Sequence, residues 1–408
     1  MTFHPRERTA DTGRRALLRG GGLLALGALG LPACGGTEKN SRATSVSLAR
    51  PDHPVTLPTF SRLPQVRDGL SPETGTLKVL NYADYVSPEV VRGFGEEYGV
   101  TVEITTFSTM TEALSKLRSG SAAYDVVFPT PDIISRAVAG RLVQPLNHSY
   151  LENLQNALPS LQDPFYDQGS RYTVPYNVYS TGIGYRTDRI SELPDNPYEL
   201  YWDSSYRGKV YVIDDYREAL GMVMLRSGPA DVNTEDTAAI QAAADGLSAM
   251  LRAVRVKVGN QAPQFISDGT ATVHQAWNGD MIASPSYLPK GVSSDILGYW
   301  YPGGNKGVVG NDMMAIPAAA RHPVLAHHFL NYLLATKVAL RNMEWIGYQP
   351  AQKAFTPQRM VAEGLVPEHL KSAIITAEDF EKGQQLLVLS PEGEFRWQDA
   401  WASFKAGA

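Results

Sequence analysis

The sequence predicts an α/β protein with two lobes, in which mostly parallel sheets are flanked by helices and a ligand cleft lies between the lobes. Two observations support this fold class. Short apolar strand patterns alternate with helix patterns from Gly75 onward, and a second run of the same alternation begins near Thr181. The chain has 408 residues, of which 43% are hydrophobic and 19% charged, enough for two ordinary globular cores.

Residues 1–33 are predicted to form an export signal. Several arginines precede an apolar, Gly-rich stretch that is too short to cross a bilayer comfortably. The only cysteine, Cys34, follows small residues at a cleavage position typical of lipoproteins, so we expect it to carry a lipid. Arg14 and Arg15 resemble a twin-arginine signal, although the general export route and a plain signal with an incidental cysteine stay open.

Residues 34–75 are polar, rich in Ser, Thr and Pro, and lack periodicity. This composition predicts a flexible tether between the lipid and the body. We therefore expect a protein of the cell envelope, anchored through Cys34 to the outer face of the cytoplasmic membrane.

The first run of elements is predicted to build lobe 1 from residues 76–182. Ser87 and Thr130 are predicted N-caps, each followed by a proline at the first helical position, and Gly120 closes a helix. The strands and helices of this run, in order, are TLKVLNY, SPEVVRGFGEEYG, VTVEITTF, TEALSKLRSG, YDVVFP and TPDIISRAVAG.

The second run is predicted to build lobe 2 from residues 185–308 and 357–405, while residues 312–355 return to lobe 1. Its segments are GKVYVIDDYREALGMVMLRSG, TAAIQAAADGLSAMLRAV and ATVHQAWNGDMI. The strand GVVGNDMMAIPAAA follows, and then HPVLAHHFLNYLLATKVALRNMEWIGY predicts two helices with a break near Ala335.

An acidic cluster follows the strand that ends at Ile213. Ligands of parallel α/β sheets bind at the carboxyl ends of strands, here residues 82–85, 130–132 and 214–218. Asp215 and Glu218 also fit a capping box, with Asp at the N-cap and Glu at the third helical position. Two interpretations stay open: a helix cap, or one wall of a site for a cation, with Asp214 as the cap in the second case.

Composition and motifs exclude several classes of function. The net charge of −5 gives no basic face for nucleic acid, and one cysteine permits neither an internal disulfide nor a Cys-based zinc site. The sequence lacks the motifs G-x-S-x-G, G-x-x-x-x-G-K and H-E-x-x-H. We therefore expect a protein that is not an enzyme and has no cofactor and no metal site.

The body resembles the spermidine/putrescine-binding proteins of ABC transporters. Seven segments carry the resemblance, in order: LNYADYVSPEVV, AYDVVFPT, VPYNVYSTGIGY, YRGKVYVIDDYREAL, HQAWNGD, GNDMMAIPAAA and WIGYQP. It implies a periplasmic-binding-protein-like fold, with crossing strands as hinges at residues 181–185 and 309–312. It also implies a monomer that captures polyamine and passes it to a permease driven by a cytoplasmic ATPase.

The resemblance also implies a binding site. The positions for the amines are Asp215, Glu218 and Asp312, and the aromatic and hydroxyl positions are Trp277, Tyr82, Tyr85, Tyr348 and Thr130. Carboxylates and rings suit a polyamine, because buried ammonium groups need anionic acceptors and methylenes need apolar faces. For single residues a structural role stays open: a turn for Asp312, the core for Trp277, and helix stapling for Tyr85.

The sequence departs from the family at several of these positions. Family members commonly have Trp where Tyr82 stands, and an aromatic residue where Gly310 and Asp132 stand. Asp132 is therefore either an added carboxylate of the site or a favourable charge in its own helix. Gln384 or Gln385 is a candidate for one polar contact. The alternatives are a binding protein for another small cation or metabolite (iron, thiamine or an amino acid) and a ligand-binding sensor module.

Overall fold

The computed structural model describes residues 48–120 and 122–407 of the chain. The predicted export signal, the lipid on Cys34 and the tether up to residue 47 lie outside the described residues. No helix within those two ranges has the length and apolar character that a bilayer crossing requires.

Residues 48–75 pack along the body, which differs from the flexible tether predicted up to residue 75. Leu57 is buried, with 2% of its surface exposed. The amide of Val55 donates to the carbonyl of Phe165 at 2.7 Å, and the Tyr172 hydroxyl donates to the carbonyl of Pro58 at 2.5 Å. The segment is irregular and contains short turns, so its buried apolar residues follow no periodic pattern that sequence reasoning would detect.

The first elements follow the predicted order. They are β1 (Thr76–Tyr82), α1 (Pro88–Tyr98), β2 (Thr101–Phe107), α2 (Met110–Ser119), β3 (Val126–Val127), α3 (Pro131–Ala139), α4 (Pro159–Gln162) and the long β4 (Thr173–Arg186). Ser87 and Thr130 do stand at the N-cap positions with proline next, but neither side chain makes a capping hydrogen bond.

The middle of the chain also alternates strands and helices. Its elements are β5 (Val210–Val212), α5 (Tyr216–Arg226), α6 (Thr237–Val254), β6 (Lys257–Val258), α7 (Ala262–Ser267), β7 (Val273–Trp277), α8 (Asn278–Ala283), β8 (Leu297–Trp300) and β9 (Val308–Ala315). The last elements are α9 (Pro323–Leu333), α10 (Thr336–Ile346), β10 (Gln349–Pro350), α11 (Pro357–Ala362), α12 (Ala377–Lys382), β11 (Gln384–Gln385) and α13 (Pro391–Gly407).

The strands lie in the order β2-β1-β3-β9-β4-β7-β5-β6. The outer pairs, such as β1–β2 and β5–β6, are parallel as predicted, whereas β4 is antiparallel to both β9 and β7. Residues 173–181 of β4 pair with β9, and residues 181–185 pair with β7. The long strand β4 therefore belongs to both halves of the sheet.

Separate apolar cores cover the two halves of the sheet. Leu77, Phe94 and Phe329 belong to a cluster beside β1, and Leu220, Leu247 and Trp397 belong to a cluster beside β5. The lobe boundaries predicted from the sequence stay a prediction.

Candidate functional site

Asp215 stands where β5 gives way to α5. Its Oδ1 accepts hydrogen bonds from the amides of Arg217 at 2.8 Å and Glu218 at 3.1 Å, so Asp215 is the N-cap of α5. Asp214 is exposed, and its carboxylate accepts a hydrogen bond from the Lys405 ammonium at 3.0 Å. The alternative in which Asp214 caps the helix is therefore wrong, because its carboxylate is turned toward Lys405 on α13.

Glu218 lies one turn into α5 and is buried, with 3% of its surface exposed. Its Oε1 accepts from the Thr181 hydroxyl at 3.0 Å and from the Trp277 indole N–H at 3.2 Å. Its Oε2 is buried and has no hydrogen-bond partner among the described residues. Burial, with a further contribution from the charge of Asp215, raises the pKa of Glu218 to about 8.

Asp312 lies inside β9 and is also buried. The Tyr85 hydroxyl donates a hydrogen bond to its Oδ2. Burial raises the pKa of Asp312 to about 6, and the negative charge of Asp132 acts in the same direction. Asp312 therefore lies in a strand and accepts a hydrogen bond from Tyr85. The turn that the preceding Gly310 and Asn311 left open as an alternative is not formed.

The three tyrosines predicted for the site lie in one aromatic group. The ring of Tyr85 contacts Tyr82 at 5.7 Å and Tyr348 at 5.5 Å between centroids, edge to face in both cases. Burial raises the pKa of Tyr82, and the charges of Asp312, Asp132 and Asp215 add to this effect. The tyrosines and the acids are thus close enough for their charges to influence one another.

Asp280, on α8, is an acid that the sequence analysis did not single out. The Tyr348 hydroxyl donates to its Oδ1 at 3.2 Å, and burial raises the pKa of Asp280 to about 7. Gly279 permits this contact, because a Cβ there would lie 2.5 Å from Cγ of Tyr348. Asp280 stands three residues after Trp277 in the segment AWNGD, and this position is the sequence signal from which it could have been predicted.

Thr130 and Asp132 begin α3. The Thr130 hydroxyl is buried and has no hydrogen-bond partner within the described ranges. Asp132 lies 3.8 Å from Arg136 on its own helix, and its charge also raises the pKa of Asp312. A favourable interaction within the helix and an electrostatic effect on the site therefore occur together. Gln384 is committed elsewhere, because its amide donates to the carbonyls of Ala230 and Asn305.

The arrangement is suited to bind an organic cation. In the described part of the chain, Glu218, Asp280 and Asp312 form no ion pair with Lys or Arg, although each is at least partly withdrawn from water. Their known partners are neutral hydroxyl and indole donors. Such acids favour a cationic guest, since the guest supplies the countercharge that the fold does not.

Comparison with known proteins places this chain in a family. A family model described as bacterial extracellular solute-binding protein matches residues 89–364. A spermidine/putrescine-binding periplasmic protein of Escherichia coli is 26% identical over 301 residues, covering 72% of this chain and 84% of the relative. Such a protein of Haemophilus influenzae is 28% identical over 277 residues, covering 67% and 74%.

Solved structures share the fold. The crystal structure of a spermidine/putrescine ABC transporter substrate-binding protein from Streptococcus pneumoniae has a TM-score of 0.68 and 23% identity, covering 82% of this chain and 99% of that one. This similarity confirms the two-lobe α/β fold class predicted from the sequence. The family match extends over most of the body, and the protein belongs to the bacterial extracellular solute-binding proteins.

Proposed function

We propose that this protein is the substrate-binding component of a polyamine ABC importer. It captures a putrescine- or spermidine-type cation between its lobes and delivers it to a membrane permease with a cytoplasmic ATPase. The family is one of solute-binding transport proteins rather than enzymes, and its relatives are periplasmic.

One observation carries the proposal. Glu218, Asp280 and Asp312 have raised pKa values because of burial, and aromatic side chains donate hydrogen bonds to all three. A polyamine supplies two or more ammonium groups for these carboxylates and methylenes for the rings of Trp277 and Tyr85. Each charge-assisted hydrogen bond contributes about 1.5–3 kcal/mol, and a ring facing an ammonium adds about 0.5–2 kcal/mol.

The names of the relatives also support a polyamine as the solute. The proteins of Escherichia coli and Haemophilus influenzae are called spermidine/putrescine-binding, at identities of 26% and 28%. These identities support the class of solute and leave the particular polyamine to measurement.

The conformational part of the proposal concerns the two strands shared by the halves. Lobe 1 comprises residues 76–182 and 312–355, and lobe 2 comprises residues 185–308 and 357–405. Closure bends the chain at residues 181–185 of β4 and 309–312 of β9. The pairing of β4 with β9 ends at Thr181, opposite Val308, and the pairing of β4 with β7 begins at the same residue. The protein acts as a monomer, exported by the twin-arginine or the general route and held by a lipid on Cys34.

Calorimetric titration of the protein without its export signal tests the function. We expect saturable binding of putrescine, spermidine or spermine, and no binding of N,N′-diacetylputrescine, which has the same chain without the charges. A complete lack of heat with all three amines, at concentrations where a control binder saturates, would reject the proposal that the ligand is a polyamine. Native mass spectrometry of the co-purified ligand would then identify iron, thiamine, an amino acid or another solute.

A further inference from the structure

Tyr179 lies on β4 directly opposite Gly310 on β9. A Cβ built at Gly310 would lie 2.3 Å from both Cζ and the hydroxyl oxygen of Tyr179. The tyrosine ring therefore lies across the glycine, in the space where a side chain of residue 310 would stand. The aromatic residue expected at position 310 is absent, and an aromatic ring from the neighbouring strand takes its place.

The strand registers show which face of the sheet this ring occupies. Side chains two residues apart on a strand point to the same face, so Tyr179 shares its face with Thr181, and Gly310 shares its face with Asp312. Thr181 is paired with Trp277 on β7, and its hydroxyl donates to Glu218 at 3.0 Å. The ring of Tyr179 thus lies between the Glu218 side and the Asp312 side of the site.

The electrostatic surroundings agree with this position. Burial raises the pKa of Tyr179 far above its ordinary value, and the charges of Glu218, Asp312 and Asp215 contribute in that order. The phenol consequently stays neutral at any physiological pH. A neutral, half-buried ring among carboxylates offers an apolar face for methylenes and an electron-rich face for ammonium groups, a combination that neither a charged nor an aliphatic residue provides.

We propose that Tyr179 is a ligand-contacting, specificity-determining residue, whose ring carries the methylene segment between ammonium groups held at Glu218 and at Asp312. This inference rests on the proposed function and adds a residue to it. β7, β4 and β9 are neighbours about 4.8 Å apart, so a chain reaching from Glu218 near β7 to Asp312 on β9 crosses β4 at Tyr179. Gly310 is required because it leaves room for the ring.

The test is a calorimetric comparison of four single variants and one double variant, each titrated with putrescine and spermidine. Tyr179→Ala is expected to weaken binding about tenfold or more and to change the ratio of the two dissociation constants at least about threefold, because apolar and cation–π contacts are lost unequally. Tyr179→Phe keeps the ring, and we expect affinities within about threefold of wild type. Gly310→Ala should weaken binding, since it displaces the ring.

Gly298→Ala is the matched control. Gly298 on β8 is paired with Tyr185 on β4, and a Cβ there would lie 2.4 Å from Cζ of Tyr185. The clash is of the same kind, but the acidic residues do not contribute to the pKa of Tyr185, which burial alone raises. We expect Gly298→Ala to lower the melting temperature without changing affinity. Adding Gly310→Ala to Tyr179→Ala should cause no further loss of affinity.

The outcomes distinguish failure of the inference about Tyr179 from failure of the proposed polyamine function. Wild-type binding with an unchanged affinity and ratio in Tyr179→Ala would overturn the inference and leave the proposed function intact. A lack of binding by the wild type would overturn both. If Tyr179→Ala does not fold, as thermal unfolding would reveal, then Gly310→Ala decides: an affinity equal to that of Gly298→Ala would overturn the inference.

Discussion

At the scale of single residues, Asp215 is the N-cap of α5, and we propose that it also takes part in ligand binding, a role that the sequence presents as the alternative. Its Oδ1 accepts both capping bonds, and Oδ2 takes part in neither. The sequence predicts Asp215, Glu218 and Asp312 as ligand-binding acids, and this stays a prediction; the structure shows that Asp215 caps the helix, while Asp214 contacts Lys405 of α13. That contact spans 191 residues, and no local pattern encodes it.

The capping role and the binding role of Asp215 are separable by substitution. Asparagine caps a helix about as well as aspartate, so we expect Asp215→Asn to retain stability and Asp215→Ala to lose about 1 kcal/mol of unfolding free energy. Both variants lack the charge and should bind polyamine more weakly. Chemical denaturation and calorimetry measure the two properties. Full affinity in Asp215→Asn would remove Asp215 from the ligand-binding set.

The ionised form of Glu218 lowers the free energy of unfolding, because its carboxylate is buried. Its pKa is raised to about 8 in the folded protein from a usual value of 4.5, so the folded state binds more protons than the unfolded state between these values. Stability contributed by this group is therefore present at low pH and lost as pH rises toward 8. We expect Glu218→Gln to raise the unfolding free energy at pH 8 by roughly 2–4 kcal/mol and to change it little at pH 4.5.

The same substitution should weaken polyamine binding at pH 8, where a large fraction of wild-type Glu218 is ionised. Thermal unfolding at the two pH values, together with calorimetry at pH 8, measures both effects. A variant that is destabilised at pH 8 while binding normally would contradict the assigned burial and the assigned role of Glu218.

At the scale of elements, helix starts were predictable and sheet partners were not. Proline at the first helical position marks α1 and α3 because it needs no amide partner there. Two features depend on registers between distant strands: the antiparallel pairing of β4 with both β9 and β7, and the position of the Tyr179 ring over Gly310. Strand periodicity reports which faces are apolar but not which strands become neighbours.

The packed segment before β1 gives a prediction at this scale. A chain that begins at Leu48 retains the burial of Leu57 and the contact between Pro58 and Tyr172, whereas a chain that begins at Ser61 loses them. Burial of one leucine contributes about 1.5–3 kcal/mol, so we expect a clearly lower melting temperature for the shorter chain. Thermal unfolding compares the two. Equal melting temperatures would mean that this segment contributes nothing to the stability of the body.

At the scale of the whole molecule, we expect cation binding to be coupled to the release of protons. Glu218, Asp280 and Asp312 have pKa values of about 8, 7 and 6 without a cationic partner. A bound polyamine favours the ionised carboxylates and lowers these values, so binding releases protons. We expect affinity to increase from pH 6 to pH 8 and the observed heat to vary with the ionisation enthalpy of the buffer. A pH-independent affinity with no buffer effect would contradict this coupling.

The claim that the buried acids hold a polyamine is tested most directly by calorimetric titration of wild type and Asp312→Asn with putrescine and spermidine at pH 8. Asparagine keeps an acceptor for the Tyr85 hydroxyl and removes only the charge. We expect one saturable site in the wild type and binding at least about tenfold weaker in the variant, as loss of a charge-assisted bond implies. Equal affinities in the two proteins would contradict the site.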